Sequence, residues 1–234
     1  MPADVNFCFP VPEKLENQRI LLKPFDLVEH SAMWLNASLP FPEIYHGLSF
    51  GPFSSIAQQE KLLQQAIAAD KARQLFVVFD KTREGTPIAG ILGYLNSSTD
   101  NLLTEIGFVI ILPPFHHTHV ASNAVGLLMH YALDNVDDGG LGLRRLEWRA
   151  NSLNHASVGL AKKMGFRLDA ILRWDRVIPD RDNKLGNGRD ADLERRPANA
   201  PGHGTIGRDT ALLSVCWDEW EDTVRNIADA AMNR

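Results

Sequence analysis

The stretch from Gln74 to Leu133 limits the possible folds more than any other part of the 234-residue chain. Three runs rich in branched and aromatic residues lie there: Gln74–Asp80, Ile88–Asn96 and Leu103–Leu112. The connections between them, holding Glu84-Gly-Thr-Pro87 and Ser97–Asn101, are of hairpin length, which predicts an antiparallel meander. Past Pro113-Pro114 the apolar period changes. Val120, Ala124, Leu127, Leu128 and Tyr131 share one face of a helix predicted over Val120–Leu133, and Asp137-Asp-Gly-Gly140 ends it.

The flanking chain supplies the rest of the sheet and its cover. Arg19–Phe25 reads as a first strand, and Asp26 as the N-cap of a helix running to about Ala37. Leu39–Pro52 reads as an irregular, aromatic-rich loop, and Ser54 or Ser55 as the cap of a helix to about Ala72. After the meander come a strand at Arg145–Ala150, a helix at Asn154–Met164 with Gly165 at its C′ position, and strands at Phe166–Ile178 and Thr210–Trp217. An amphipathic helix, Asp218–Met232, closes the order. The expected architecture is one α/β (α+β) domain over residues 1–234, with a mixed, mostly antiparallel sheet and helices on both faces. Residues 179–208 are rich in proline, glycine and charge and poor in apolar side chains, so a flexible insert before the last strand is expected there.

Composition narrows the partners. The formal net charge is −5 and the pI near 5.9, which argues against a general nucleic-acid binder, since such proteins need a basic footprint. Cys8 and Cys216 are isolated, without CxxC or Cys/His spacing, and fit a reducing compartment. No secretory signal and no apolar run of spanning length is visible, so a cytoplasmic protein without a membrane partner is expected. A homodimer is compatible with the sequence, which leaves the oligomeric state open. No GxGxxG follows an N-terminal strand, so a dinucleotide-binding oxidoreductase is not expected.

The chemistry should sit where the apolar strand Ile106–Leu112 turns into the helix beginning near Thr118 or His119. Unpaired N–H groups of a first helical turn, together with the helix dipole, favour an anion at such a junction. Three sequence strings there and downstream carry a resemblance. Glu105-Ile-Gly-Phe108 with Pro113-Pro-Phe-His-His-Thr-His-Val-Ala-Ser-Asn-Ala124 is similar to motif A of the GNAT acetyltransferases. Arg144-Arg-Leu-Glu-Trp-Arg-Ala-Asn-Ser-Leu-Asn-His-Ala-Ser157 and Ala161-Lys-Lys-Met-Gly-Phe166 look like motif B. With Gly207-Arg-Asp-Thr-Ala-Leu-Leu-Ser214, the set resembles the RimJ/RimL-like branch, over about residues 15 to 222. The chain departs from the superfamily's Gln/Arg-x-x-Gly-x-Gly/Ala turn at its first glycine, where His119 stands between His116 and Ala121.

The resemblance implies an acetyl-CoA-dependent N-acyltransferase that moves an acetyl group directly to an amine in a ternary complex. It implies that His116, His117, Thr118, His119, Val120, Ala121 and Ser122 bind the cosubstrate's phosphates. Backbone amides near Val109 and Ile110 would hold the pantetheine and the thioester carbonyl. Asn154 would contact the pantetheine arm or an ordered water, and Ser157 would contact the cosubstrate and steer or protonate the leaving thiolate. Glu105, on the strand that ends at the site, is the candidate base; alternatively it pairs with an arginine across the sheet. Phe41, Tyr45 and Phe53 on the early loop are candidates for an acceptor wall, or pack the loop itself. The acidic balance and the aromatic loop favour a small-molecule amine over a protein N-terminal α-amine as acceptor. A non-catalytic CoA-binding or interaction module is a further alternative.

Other clusters are read more plainly. His116, His117 and His119 lie close together, but no Cys, Asp or Glu nearby completes a tetrahedral set, so no metal is expected. Arg144, Arg149, Lys162 and Lys163 either form a solvated face or meet phosphates. Asp209 either orients substrate or caps a turn.

Overall fold

The computed structural model describes residues 6–178, 184–189 and 197–234. The elements are β1 (Leu15–Glu16), β2 (Ile20–Pro24), α1 (Leu27–Ser38), α2 (Ile56–Leu63), β3 (Gln74–Asp80), β4 (Ile88–Ser98) and β5 (Leu103–Ile111). They continue as α3 (Val120–Leu133), β6 (Arg145–Asn151), α4 (His155–Lys163), β7 (Arg167–Ile178) and β8 (Ile206–Cys216). The last helix, α5, runs through Trp217–Glu219, a π-type turn Trp220–Val224, and Arg225–Met232. Among the described residues no helix is long and apolar enough to cross a membrane.

The strands form one eight-stranded sheet in the order β1-β2-β3-β4-β5-β6-β8-β7. Every pairing is antiparallel except β5 with β6, which α3 connects as a crossover. All seven residues of β3 are buried, which requires cover on both faces. On one face Tyr94 of β4 donates its hydroxyl to the Leu128 carbonyl of α3. On the other, His30 of α1 packs beside Phe79 of β3. The register carries Tyr94 through Ile106 and Trp148 to Leu213, so these side chains share the α3 face. Glu105, Glu147 and Ser214 are in register on the opposite face.

The predicted caps form as expected: Asp26 accepts from the Val28 and Glu29 N–H groups, and Ser55 from Gln58 N–H. Gly165 follows α4 with φ +97°, a conformation that side-chain-bearing residues resist. Two boundaries differ from expectation. Helix α2 passes into a π-type turn at Gln64–Ala68 rather than reaching Ala72, because Arg73 donates to the Ala66 carbonyl and Asp70 caps Ala72 N–H, turning the chain into β3. Strand β8 starts at Ile206 rather than Thr210, because Arg176, Val177 and Ile178 of β7 supply partners for Arg208, Gly207 and Ile206. Of the stretch 179–208 expected as a flexible insert, residues 179–183 and 190–196 lie outside the described residues.

Gly93, central in β4, is a position where even one added carbon has no room. A Cβ there would stand 2.1 Å from the Gln74 carbonyl oxygen and 2.9 Å from Leu75 Cα, both backbone atoms that cannot rotate away. Gly93→Ala is therefore expected to lower stability by roughly 1–3 kcal/mol, read as a shift of the urea midpoint.

Candidate active site

The site is built where two neighbouring strands separate. Pairing of β5 with β6 stops at Ile106 with Trp148, although β5 continues to Ile111 and β6 to Asn151. The cause is local to β5. Between the pairs Gly93–Gly107 and Ile91–Ile110, β5 has one residue more than β4, a bulge, and Phe108 takes φ +51° there. A bulge bends its strand and increases its twist. A left-handed aromatic residue is a strained position, held here by packing: the Phe108 ring lies 4.9 Å from that of Phe50.

Two cavities open on the separated strands. The larger, about 450 Å³, lies against α3 and α4, with Val109, Ile110, His116, Ser122, Gly159 and Lys163 among its walls. The smaller, about 70 Å³, is lined by Gly47, Leu48, Gly107, Phe108, Arg149 and Arg208, among others. They share Val109, Trp148, Asn154 and Ser157. A long flexible ligand and a small second reactant can therefore meet at those four residues from opposite sides.

At the mouth of α3 the N–H groups of His117, Thr118, His119, Ala121 and Ser122 have no hydrogen-bond partner among the described residues, while Val120 N–H reaches Thr118 Oγ1. Lys163 adds a cation, its Nζ donating to Ser122 Oγ at 2.9 Å. The substitution of glycine by His119 is tolerated for a conformational reason: His119 has φ −65°, and the left-handed residue of the turn is His117, at φ +59°. The three imidazoles diverge. His116 Nε2 lies 2.7 Å from the Ile111 carbonyl, the His117 ring is nearly perpendicular to it, and His119 Nε2 turns to the Asp80 carboxylate at 3.3 Å.

Around the shared residues each polar group has a defined task. Asn154 Oδ1 accepts from Ser157 N–H and caps α4, which leaves both Nδ2 hydrogens for a ligand. The Trp148 indole N–H donates to Ser157 Oγ at 3.0 Å, which leaves the hydroxyl proton available to a third atom. Gly159, inside α4, has nothing within 4 Å of where a Cβ would stand and lies on the larger cavity's wall. Glycine in a helix interior is unfavourable by about 1 kcal/mol relative to alanine, so the open space fits a group that a ligand brings.

Glu105 is 4 % exposed and lines neither cavity; its Oε1 lies 3.4 Å from the position of a Cβ on Gly107, which does line the smaller one. Asn96 Nδ2 donates to its Oε2 at 2.6 Å, and Arg149 Nε stands 3.5 Å away. Burial dominates and pushes the carboxyl up to about 7, against the lowering effect of Asn96 and Arg149. Of the residues proposed from sequence for the cosubstrate, Val109, Ile110, His116, His117, Thr118, Ala121, Ser122, Asn154 and Ser157 all line the larger cavity. Two others point elsewhere: Val120 is fully buried in the core, and the His119 ring faces Asp80.

The expected acceptor wall needs correction in detail. Phe41, Tyr45 and Phe53 line neither cavity. Tyr45 is buried, with its hydroxyl toward Ser38 and its ring against Phe50 and Phe53, so these aromatics hold the loop together. The loop reaches the smaller cavity through Gly47 and Leu48 instead. It is tied down from residues 184–187: Lys184 Nζ donates to the carbonyls of Tyr45, Phe50 and Gly51, and Leu185 N–H to that of His46. Asn151 in turn donates to the carbonyls of Leu185 and Gly186. Asp209 accepts from Trp174 N–H and Asn187 Nδ2, and pairs with Arg189, so it braces this segment. Sequence reasoning missed Lys184, Asn151 and Arg208, because contacts between residues distant in the chain, 139 positions for Lys184 with Tyr45 and 34 for Asn151 with Leu185, leave no local pattern.

Residues 19–167, well over half of the chain, match the family described as acetyltransferase (GNAT) domain. The chain belongs to the GNAT acetyltransferase family. Its chemistry is acyl-CoA-dependent N-acetyl transfer. Solved structures agree with the fold. A GCN5-related N-acetyltransferase from Brucella melitensis superposes with a TM-score of 0.74 at 24% identity, covering 95% of this chain and 86% of that one. A "probable acetyltransferase (GNAT family)" from Chromobacterium violaceum gives 0.71 at 26% identity, covering 94% and 95%. The spermidine N-acetyltransferase from Vibrio cholerae, solved with CoA and spermine, gives 0.59 at 15% identity, covering 88% and 100%. Among curated proteins, none matches the sequence.

Gly159→Ala separates stability from binding. It is expected to raise stability by about 0.5–1 kcal/mol while weakening acetyl-CoA binding several-fold, since its methyl enters the larger cavity. Thermal unfolding of the free protein and calorimetric titration with acetyl-CoA check the two halves.

Proposed function

We propose that this GNAT enzyme acetylates a small-molecule amine, with acetyl-CoA entering from the α3–α4 side and the acceptor from the smaller cavity. The observation that carries the reading is the meeting of the two cavities at Val109, Trp148, Asn154 and Ser157. The acceptor side is about 70 Å³ and is roofed by a loop that Lys184 clamps, which suits a small molecule better than a protein N-terminus. Assignment to the RimJ/RimL-like branch rests on the motif strings at 105–124 and 207–214. A homodimer belongs to this reading, supported by Leu168, Ile171 and Val177 exposed on the edge strand β7. A cytoplasmic location is supported by the two unpaired thiols of Cys8 and Cys216.

In this reading the open N–H groups at the start of α3 and Lys163 bind the diphosphate. Backbone amides of the bulged β5 segment polarise the thioester carbonyl, a contribution worth roughly 3 kcal/mol per donor in comparable sites. The amine nitrogen forms its bond to the acetyl carbon as the carbon–sulfur bond breaks. Ser157, polarised by the Trp148 indole, donates a hydrogen bond to the departing sulfur. Glu105, one atom's depth behind Gly107, takes the amine proton through water, and a carboxyl poised at about 7 is suited to that task.

The sign of the pH effect follows. The base must be ionised, so kcat/KM is expected to rise with pH through about 7, the value to which burial pushes Glu105. Glu105→Gln should remove that limb and lower the rate by roughly 10²–10⁴-fold; an unchanged pH–rate profile would remove the role. Stability should move the other way. Between its ordinary value of 4.5 and about 7 the folded Glu105 keeps a proton that the unfolded chain releases, so it costs stability as pH rises. Relative to wild type, Glu105→Gln is therefore expected to gain stability at pH 8 and little at pH 4, measured by urea unfolding at both.

A further inference from the structure

Resting on the reading of the smaller cavity as the acceptor side, we infer that the acceptor is a compact amine bearing its own anionic group, of the amino-acid type, and that Arg208 binds that anion.

The inference starts from charge pairing. Arg149 and Arg208 line the smaller cavity, Arg145 lies further along β6 and Arg176 stands opposite Arg208 on β7; of these, all but Arg208 have carboxylate partners. Arg145 pairs with Glu147 at 2.8 Å and Asp169 at 2.6 Å; Arg149 pairs with Glu147 at 3.0 Å and Glu105 at 3.5 Å; Arg176 pairs with Asp175 at 3.3 Å. Arg208 has no carboxylate within ion-pair distance among the described residues. Its Nε donates to Thr210 Oγ1 at 3.0 Å, and Thr210 spends its own proton on Asp175. The two terminal guanidinium nitrogens make no hydrogen bond among the described residues.

Arg208 is also largely covered. Burial works against its charge first and Arg176 next, with Arg149 adding to the repulsion, and Asp175 and Glu105 only partly offset them. A half-buried guanidinium with open donors is an arrangement that a ligand carboxylate satisfies with two parallel hydrogen bonds. Arg208 lines the same cavity as Val109, Asn154 and Ser157, where acetyl transfer is placed. A cavity of about 70 Å³ leaves space for only a few heavy atoms between an anion on Arg208 and an amine at those residues. That spacing suits an amine and a carboxylate on one short carbon skeleton. A polyamine would instead bring further positive charge against Arg208 and Arg149, with Glu105 and Glu147 already engaged.

The test is a thiol-release assay with acetyl-CoA on wild type, Arg208→Gln and Arg208→Lys. The common amino acids, their carboxamides and spermidine serve as acceptors, and acetyl-CoA binding is measured separately by calorimetry. At least one amino acid should be acetylated with a kcat/KM that exceeds that of its carboxamide by roughly tenfold to a hundredfold, the range for a lost charged hydrogen bond. Arg208→Gln should remove that advantage through the acceptor KM, leave turnover of the carboxamide within about threefold, and leave the acetyl-CoA titration unchanged. Arg208→Lys, which keeps the charge without the fork, should retain part of the advantage and serves if the glutamine variant does not fold. Acetyl-CoA binding combined with equal or better use of carboxamides or spermidine, or with no turnover of any amino acid, would overturn this inference alone. Absence of acetyl-CoA binding to well-folded protein would overturn the proposed function as well.

Discussion

Two strands that begin as parallel partners and then part company create both cavities of the candidate site. Up to Ile106 and Trp148, β5 and β6 are hydrogen-bonded neighbours in the middle of the sheet. Beyond them, one surplus residue in β5 and the left-handed Phe108 bend the strand away. Opening a sheet at its centre forfeits backbone hydrogen bonds, and the cost is held only because the surroundings are well determined. Phe50 packs on Phe108 from the loop, and β4 keeps β5 in register on its other edge. The gap links the helix-covered face, where α3 and α4 wall the larger cavity, to the opposite face, where the early loop and Arg208 of β8 line the smaller one.

The two faces differ in their electrostatics for structural reasons. The α3 side offers unpaired amide hydrogens and one lysine, a positive potential made largely from backbone that suits a phosphorylated ligand whatever its sequence context. The other side carries a lattice of carboxylates and guanidiniums, on alternate residues Arg145, Glu147 and Arg149 of β6 and on Glu105 of β5, with Arg208 of β8 beside it. Most of that lattice is internally neutralised. Two members stand out: Glu105, whose burial pushes its carboxyl up to about 7, and Arg208, whose guanidinium lacks a counter-charge among the described residues. An acid that holds its proton too tightly and a cation that lacks a partner both cost folding free energy. Both are kept beside the smaller cavity, a pattern common where function opposes stability.

The loop over the smaller cavity depends on a distant part of the chain. Lys184 satisfies three carbonyls of the 45–51 turn, Asn151 holds Leu185 and Gly186, and Asp209 braces Asn187 and Arg189. The roof therefore draws on residues 184–189, within a stretch whose composition suggests little internal structure. Residues 184–189 gain order by donating to carbonyls of the early loop and to the Asp209 carboxylate and by accepting from Asn151, not by burying a core of their own.

Periodicity and caps made most elements readable from sequence: β3 at Gln74–Asp80 and α3 at Val120–Leu133 are set by local patterns that burial then satisfies. Much of the larger cavity's wall was legible for the same reason, since His116, His117, Thr118, Ala121 and Ser122, and Asn154 and Ser157, lie in contiguous stretches at helix starts. What sequence could not convey is direction and distance. Tyr45 and Phe53 suggest a binding wall when seen as letters, yet their rings pack edge-on against one another. Substitution of the turn glycine by His119 looks costly until the backbone puts the left-handed conformation on His117. Arg208 looks like any surface arginine until the register sets it opposite Arg176 and the fold brings it to the cavity that Arg149 also lines, with the carboxylates of Glu105, Glu147 and Asp175 committed to other bases. Local propensity is a property of neighbouring residues and survives in the sequence; the pairing of charges is decided by which strands lie side by side, and only the folded chain determines that.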